Sequence, residues 1–313
     1  MTEAASPPAK LRTVVVAFVA NVLVAVAKTV AAVVTGSASL VAEAAHSWAD
    51  AGNEVFLLIA ERSSARGPDD GHPLGYGRDA YVWSLFAAVG LFTAGAVVAV
   101  QHGISELLDP EPAGNFGVAY LVLAIAAVLE GISFAQSVVQ LRRGARRYAR
   151  PALDYALNGS NATLRAVLAE DAAALIGLAL AFIGVLLHQL TGDPVYDAVG
   201  SLAIGALLGV VAIVLINRNR RFLVGEVPAP TVRAAVGSAL AAHPEIERVT
   251  YLHLEFVGPA RLFVVAAVDL TGDRAEDDVA RQLRTLERAI EENELVQKVV
   301  LTLSVSDEPT IGF

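Results

Sequence analysis

The stretch SLVAEAAHSWADAGNEVFLLIAER, Ser39–Arg62, decides how the rest of the chain is read. Its flanks, through Leu40, Val41, Val55, Phe56, Leu57, Leu58 and Ile59, are apolar enough for a helix inside a bilayer, while its middle carries Glu43, His46, Asp50 and Asn53. His46 and Asp50 stand four residues apart, so on a helix they lie one above the other on the same face. Ionisable groups at membrane depth are costly and turn toward a bundle interior or a water-filled cavity. An imidazole and a carboxylate at this spacing supply two metal ligands from one rigid element. The plainer reading, a surface helix whose polar face is simply wet, fits poorly with such apolar neighbours.

Working outward, the whole chain of 313 residues is 55% hydrophobic and only 18% charged, which points to several membrane spans rather than an ordinary soluble protein. It contains no Cys, so any metal is held by nitrogen and oxygen. The net charge of −9 argues against nucleic acid as a partner. The apolar run after Lys10 and Arg12 continues too far for a cleaved signal peptide.

Residues 1–10 read as a disordered tail rich in Pro and Ala. Six apolar stretches follow, over about 11–34, 39–62, 80–107, 116–141, 162–189 and 195–216. Lys10, Arg12, Arg62, Arg66, Arg78, the Arg142–Arg150 cluster and Arg218–Arg221 all fall on one side of a six-span arrangement, and the opposite connections carry no Lys or Arg. The positive-inside rule then puts both termini in the cytoplasm. The arginine cluster is expected to meet lipid headgroups.

From about Phe222 the composition is that of a soluble domain. A helix over 232–242, strands over 246–257 and 261–270, an amphipathic helix over 275–292 and a strand over 296–305 predict a small α+β, ferredoxin-like domain with both helices on one sheet face. The fold class is thus a polytopic α-helical membrane protein, with a six-helix domain over 11–221 and a cytoplasmic α+β domain over 222–313. The many acids of the last helix region read as a solvated face.

In the fifth apolar stretch, Glu170 and Asp171 are adjacent. Neighbours on a helix point about 100° apart, so the two carboxylates do not aim at one metal without distortion. Lesser candidates have plain explanations. Glu130 is expected to pack against Lys28 or to relay protons, Glu43 to bond His46 or line an entrance, Asn21 and Asn53 to join helices, and His188 to be solvated at a helix end. His243 reads as a helix-terminal turn residue and His253 as an ordinary strand residue.

Six spans with cytoplasmic ends, a small C-terminal domain and the motif His46-Ser47-Trp48-Ala49-Asp50 in the second span resemble the cation diffusion facilitator family of metal/proton antiporters. The loop His72-Pro73-Leu74-Gly75-Tyr76-Gly77-Arg78 is similar to that family's His-x-x-Gly-His-Gly loop, with Tyr76 in place of the second His. HPLGYGRDAYVW and LAED together resemble the branch that includes the mitochondrial-type zinc transporter, though the chain shows no targeting segment. The family places His or Asp four residues before its fifth-span Asp; here that position is Val167.

The resemblance implies a metal site of His46, Asp50 and Asp171, with Glu170 as a fourth ligand or proton carrier. It leaves Asp69 and His72 of an accessory loop site. It also implies a homodimer joined through the cytoplasmic domains. The implied function is export of a divalent transition metal, zinc first and manganese, iron or cobalt open, in exchange for protons. The metal is cargo, no tightly bound cofactor is implied, and membrane lipids are the other partners. Two alternatives stand beside this: a membrane metal sensor or scaffold without transport, suggested by Val167, and a membrane metalloenzyme. The sequence offers the last no His-Glu-x-x-His helix and no nucleophile with a base partner. Compact loops fit a bacterial inner membrane.

Overall fold

The computed structural model describes residues 7–110, 114–147, 151–272 and 274–313. Of the tail expected over residues 1–10, residues 1–6 lie outside the described residues, and the first helix starts at Pro7, a residue whose fixed φ suits the first helical turn. Two compact units emerge: one holds the chain up to Ala60 together with Val82–Asn219, the other holds Glu61–Tyr81 together with Arg220–Phe313. The expected division between 221 and 222 differs from this in the loop after the second helix, which sorts with the C-terminal residues.

The first unit is helical. Its elements are α1 (Pro7–Thr35), α2 (Ala38–Ser64), α3 (Asp79–Ala87), a π-helical turn (Ala88–Phe92), α4 (Thr93–Leu108), α5 (Phe116–Arg147), α6 (Ala152–Asn158), α7 (Ala162–Thr191) and α8 (Val195–Val224). Among the described residues, five stretches are long and apolar enough to cross a membrane: Phe18–Thr35, Asp79–Leu108, Phe116–Arg146, Ala162–Thr191 and Val195–Val224. The helix α2 is 27 residues long but is not among them, because its middle is interrupted by acids.

Small residues let these helices approach closely. Ala31, Ala42, Ala99, Ala119 and Ala181 are buried with Leu40, Leu178, Ile204 and Leu208 in one core, whereas Leu23, Val33, Leu121, Val128 and Ile213 point outward. An apolar exterior around a core of small and polar residues is what a lipid solvent selects.

The helix starts that position the polar side chains are capped. Asp197 of α8 accepts from the Ser39 backbone N–H at 3.2 Å, and the Ser39 hydroxyl donates to the Asp197 carbonyl at 2.8 Å. At the start of α7, Asn161 Oδ1 accepts from the Leu164 N–H at 2.9 Å. The polar connection expected over 142–161 is largely helical: α5 continues to Arg147, carrying exposed Arg142, Arg143 and Arg146, and α6 follows. Arg150 lies outside the described residues.

The second unit contains α9 (Pro230–Ala241), β1 (Ile246–Gly258), β2 (Arg261–Leu270), α10 (Glu276–Glu291) and β3 (Val296–Leu303). The sheet order is β1-β2-β3. The first pair is antiparallel, with Val249 opposite Val268, and the second is parallel, with Val264 opposite Val299. A parallel neighbour requires a crossover, which α10 provides. Leu240 of α9 and Leu286 of α10 join Val249, Leu254, Val264, Val268 and Val299 in one core, so both helices cover the same sheet face.

Two acids of α10 have a specific role. Glu287 accepts from the Leu301 N–H at 3.0 Å and Glu291 from the Val299 N–H at 3.1 Å, so carboxylates one helical turn apart satisfy alternate outward amides of the edge strand β3. Burial pushes the Glu291 carboxyl up, but Lys298 at 2.9 Å and the Val299 N–H outweigh it and hold the group below its ordinary value. The solvated-face expectation fails at these two residues.

The loop after α2 packs within the same unit. The Tyr81 ring stacks on Phe222 at 5.0 Å, Phe222 meets Phe256 at 5.8 Å, and Arg78 pairs with Glu255. Gly77 runs against Val257 and Gly258 so tightly that a Cβ on Gly77 would sit 2.5 Å from the Val257 carbonyl oxygen. Only glycine permits that backbone approach.

Candidate metal centre

The first unit holds a partly open cavity of about 60 Å³ lined from four helices: Asn21 and Val24 of α1; Ser47, Asp50, Glu54 and Leu57 of α2; Glu130 and Ser133 of α5; Val167, Glu170 and Asp171 of α7. The α2 lining residues recur at spacings of three and four, the seam that one helix presents to its neighbours. Five carboxylates therefore face one small space inside an apolar bundle.

His46 is fully buried and does not line the cavity; it stands behind Asp50, with Nε2 3.0 Å from Asp50 Oδ2 but without hydrogen-bond alignment. His46 Nδ1 and Asp50 Oδ1 are buried with no hydrogen-bond partner. Such groups are costly to bury unsatisfied, and a cation would use the lone pairs they carry.

Glu170 and Asp171 both line the cavity. Asn53 Nδ2 of α2 donates to Glu170 Oε2. Asp171 turns toward α5, where Ser133 donates to Oδ1 at 2.9 Å and Ser137 to Oδ2 at 2.6 Å. The adjacent residues thus take partners on different helices, α2 for Glu170 and α5 for Asp171, while both line the cavity. Val167 lines the same space with methyl groups. Asp50, Glu170 and Asp171 are thus brought around one cavity with His46 in the layer behind. Among the described residues no group of three or more His, Asp or Glu side chains is drawn together in metal-holding geometry.

Several expectations change. Lys28 pairs with Glu43 at 2.9 Å rather than with Glu130, and both members of that pair are fully buried. Glu130 instead faces the cavity. His188 is buried against the edge of Phe116, not solvated. Glu54, which sequence reasoning passed over, lines the cavity and accepts from Asn21 at 2.8 Å; its place four residues after Asp50, on the His46–Asp50 face, was the available signal. Ser133 and Ser137, four apart in an apolar helix, carried a similar signal.

Asp69 and His72 do meet, with Nδ1 3.2 Å from Oδ1, both about half exposed. Asp69 Oδ1 also accepts from the N–H groups of Gly71 at 3.1 Å and His72 at 2.8 Å, and Oδ2 accepts the Tyr76 hydroxyl at 2.7 Å. The Tyr76 hydroxyl bond, with those from His72, holds the Asp69 carboxyl below its ordinary value. Arg66 covers the Tyr76 ring 3.8 Å from its centroid. His253 Nε2 lies 4.0 Å from Glu255 Oε2 on the sheet, half exposed.

A helical bundle with apolar outer faces and carboxylates and an imidazole buried between its helices is that of an integral membrane protein. The chain belongs to the cation efflux family: residues 14–224 match the family's cation efflux transmembrane domain. It is 36% identical over 261 residues to the proton-coupled zinc antiporter SLC30A9, mitochondrial, of Xenopus laevis, covering 83% of this chain and 47% of that protein. It is 34% identical over 233 residues to metal tolerance protein C4 of Arabidopsis thaliana, covering 74% and 51%. A probable cation efflux system protein of Mycobacterium tuberculosis is 28% identical over 271 residues, covering 85% and 76%. The chain spans about half the length of the first two of these curated relatives.

Proposed function

We propose that this protein is a secondary transporter, not an enzyme, that exports a divalent transition-metal cation from the cytoplasm in exchange for protons. The observation that carries this reading is the cavity shared by Asp50, Glu170 and Asp171, with His46 directly behind Asp50. Three carboxylates and one imidazole suit zinc, and their oxygen-rich character also admits manganese, iron or cobalt. Relatives named as a proton-coupled zinc antiporter and a metal tolerance protein support the same class of activity.

Metal and protons compete for the same lone pairs. Imidazole binds metal only when neutral and the carboxylates only when ionised, so loading releases protons, and reprotonation on the acidic side ejects the ion. Rocking of the helices about the cavity exposes it to each side in turn. In this reading α2 is the sixth membrane span, with Asp50 and Glu54 turned to the cavity and Val55 and Ile59 facing outward. Both termini are cytoplasmic, on the arginine-bearing side of a bacterial inner membrane. The C-terminal αββαβ unit is a ferredoxin-like domain that joins two copies into a dimer.

The test is zinc uptake into proteoliposomes under an imposed pH gradient. Asp50→Ala and Asp171→Ala should each abolish zinc-driven proton flux, and normal flux in both variants would remove the assignment. The methyls of Val167 in the cavity favour a sensor as the second reading, and zinc binding without flux in the unmodified protein selects it.

A further inference from the structure

The Lys28–Glu43 pair takes no part in the site as described. Both side chains are 0% exposed, the Nζ–Oε2 distance is 2.9 Å, and the pair joins α1 to α2 inside the bundle. The other carboxylate oxygen, Glu43 Oε1, has no hydrogen-bond donor and rests against Gly177 of α7, where any Cβ would overlap it. Three helices therefore converge on one carboxylate.

The positions along those helices matter. Glu43 precedes His46 by three residues and Asp50 by seven, and Gly177 follows Glu170 by seven. Seven residues are close to two helical turns, so Glu43 shares a face of α2 with Asp50, and Gly177 shares a face of α7 with Glu170. The contact between Glu43 and Gly177 thus lies about two turns from the cavity on both ligand-bearing helices. Replacing a buried ion pair with apolar residues is often neutral or stabilising, so stability alone does not account for placing two charges here.

We propose that Lys28 and Glu43 are positioning residues for the cation site: the pair anchors Glu43 on Gly177 and thereby sets the spacing between α2 and α7 across the cavity. This rests on the transport reading above for its cargo, but its prediction concerns binding. When the pair is lost, the cavity carboxylates keep their chemistry and lose their registration.

The test uses the full chain. Lys28→Met with Glu43→Gln removes both charges at nearly constant shape, leaving no unpaired charge. Zinc binding to detergent-purified protein is measured by calorimetry, with Asp50→Ala defining the part of the isotherm that belongs to the cavity. The zinc dependence of uptake is measured in proteoliposomes. The double variant is expected to raise Kd and KM together by roughly ten- to a hundredfold, the range seen when groups supporting a metal's ligands are removed, with kcat within about twofold. Gly177→Ala keeps both charges but displaces Glu43, and should shift Kd by a similar factor even if the double variant does not fold. A monodisperse double variant, or Gly177→Ala, with Kd unchanged overturns the proposal. Variants whose binding weakens as stated, beside a wild-type protein that binds zinc without uptake, support the positioning role while removing the transport reading.

Discussion

Ser137 on α5 donates a 2.6 Å hydrogen bond to Asp171 on α7, and its partner one turn earlier, Ser133, holds the other oxygen of the same carboxylate at 2.9 Å. A carboxylate gripped at both oxygens has its rotamer set before any cation arrives, so the two serines pre-organise it.

Ser133→Ala with Ser137→Ala should therefore weaken zinc binding by roughly ten- to a hundredfold, and each single variant by less. The loss of two donors to a buried carboxylate also costs about 1–3 kcal/mol of stability per bond. Calorimetric titration beside thermal unfolding of the purified variants checks both. An unchanged Kd in the double variant would show that Asp171 needs no such support.

Glu170→Gln keeps the shape and the Asn53 contact but removes the charge. If Glu170 is a ligand, zinc affinity falls at least about tenfold, as expected for loss of a charged donor at a preorganised site. If it carries protons only, affinity holds while the proton flux accompanying each zinc ion drops. Simultaneous recording of zinc and pH in one vesicle preparation separates the outcomes.

In the second unit, Gly77→Ala and Arg78→Ala should differ sharply. The first drives a methyl into the Val257 carbonyl and is expected to cost about 1–3 kcal/mol as the loop lifts from the sheet. The second removes one partner of a partly exposed ion pair, and costs less than about 1 kcal/mol. Limited proteolysis between Arg62 and Arg78 should accelerate in the glycine variant alone.

The carboxyl of Glu291 sits below its ordinary value of 4.5, so the stability it contributes is fully present above that pH and is lost as the pH falls through the lower folded value. Glu291→Gln should therefore speed hydrogen exchange at Val299 at about pH 7, with the difference from wild type shrinking on acidification as the native carboxyl is protonated. A difference that grows on acidification would contradict the sign.

The C-terminal unit was legible almost in full. Alternating apolar residues in 246–257 and 261–270 and the stripe of Val279, Leu283 and Leu286 mark strands and helix directly, and all three elements form where the patterns end. Within the bundle, the spacing of His46 and Asp50 carried information because both share one helix. Pairings between helices did not. Lys28 had several acids within reach on paper, and its choice of Glu43 depends on the rotation of α1 against α2, which no local pattern encodes. The anchoring of Asp171 by Ser133 and Ser137 depends in the same way on how α5 meets α7. The burial of His188 depends on the placement of Phe116, another contact between distant segments.

The close meeting of Gly77 with Gly258 has a practical corollary for dissection and grafting. A hybrid that takes its C-terminal residues from a relative inherits a β1 end shaped for that relative's own loop, and the native 61–81 segment would then meet a surface it was not built to touch. Exchanging both pieces as one cassette, with Tyr81 and Phe222 travelling together, preserves the fit. A chain severed just past α8 keeps Phe222 on the Tyr81 ring but loses Phe256, Val257 and Gly258, which leaves Gly77 without its seat and the loop an early target for proteases.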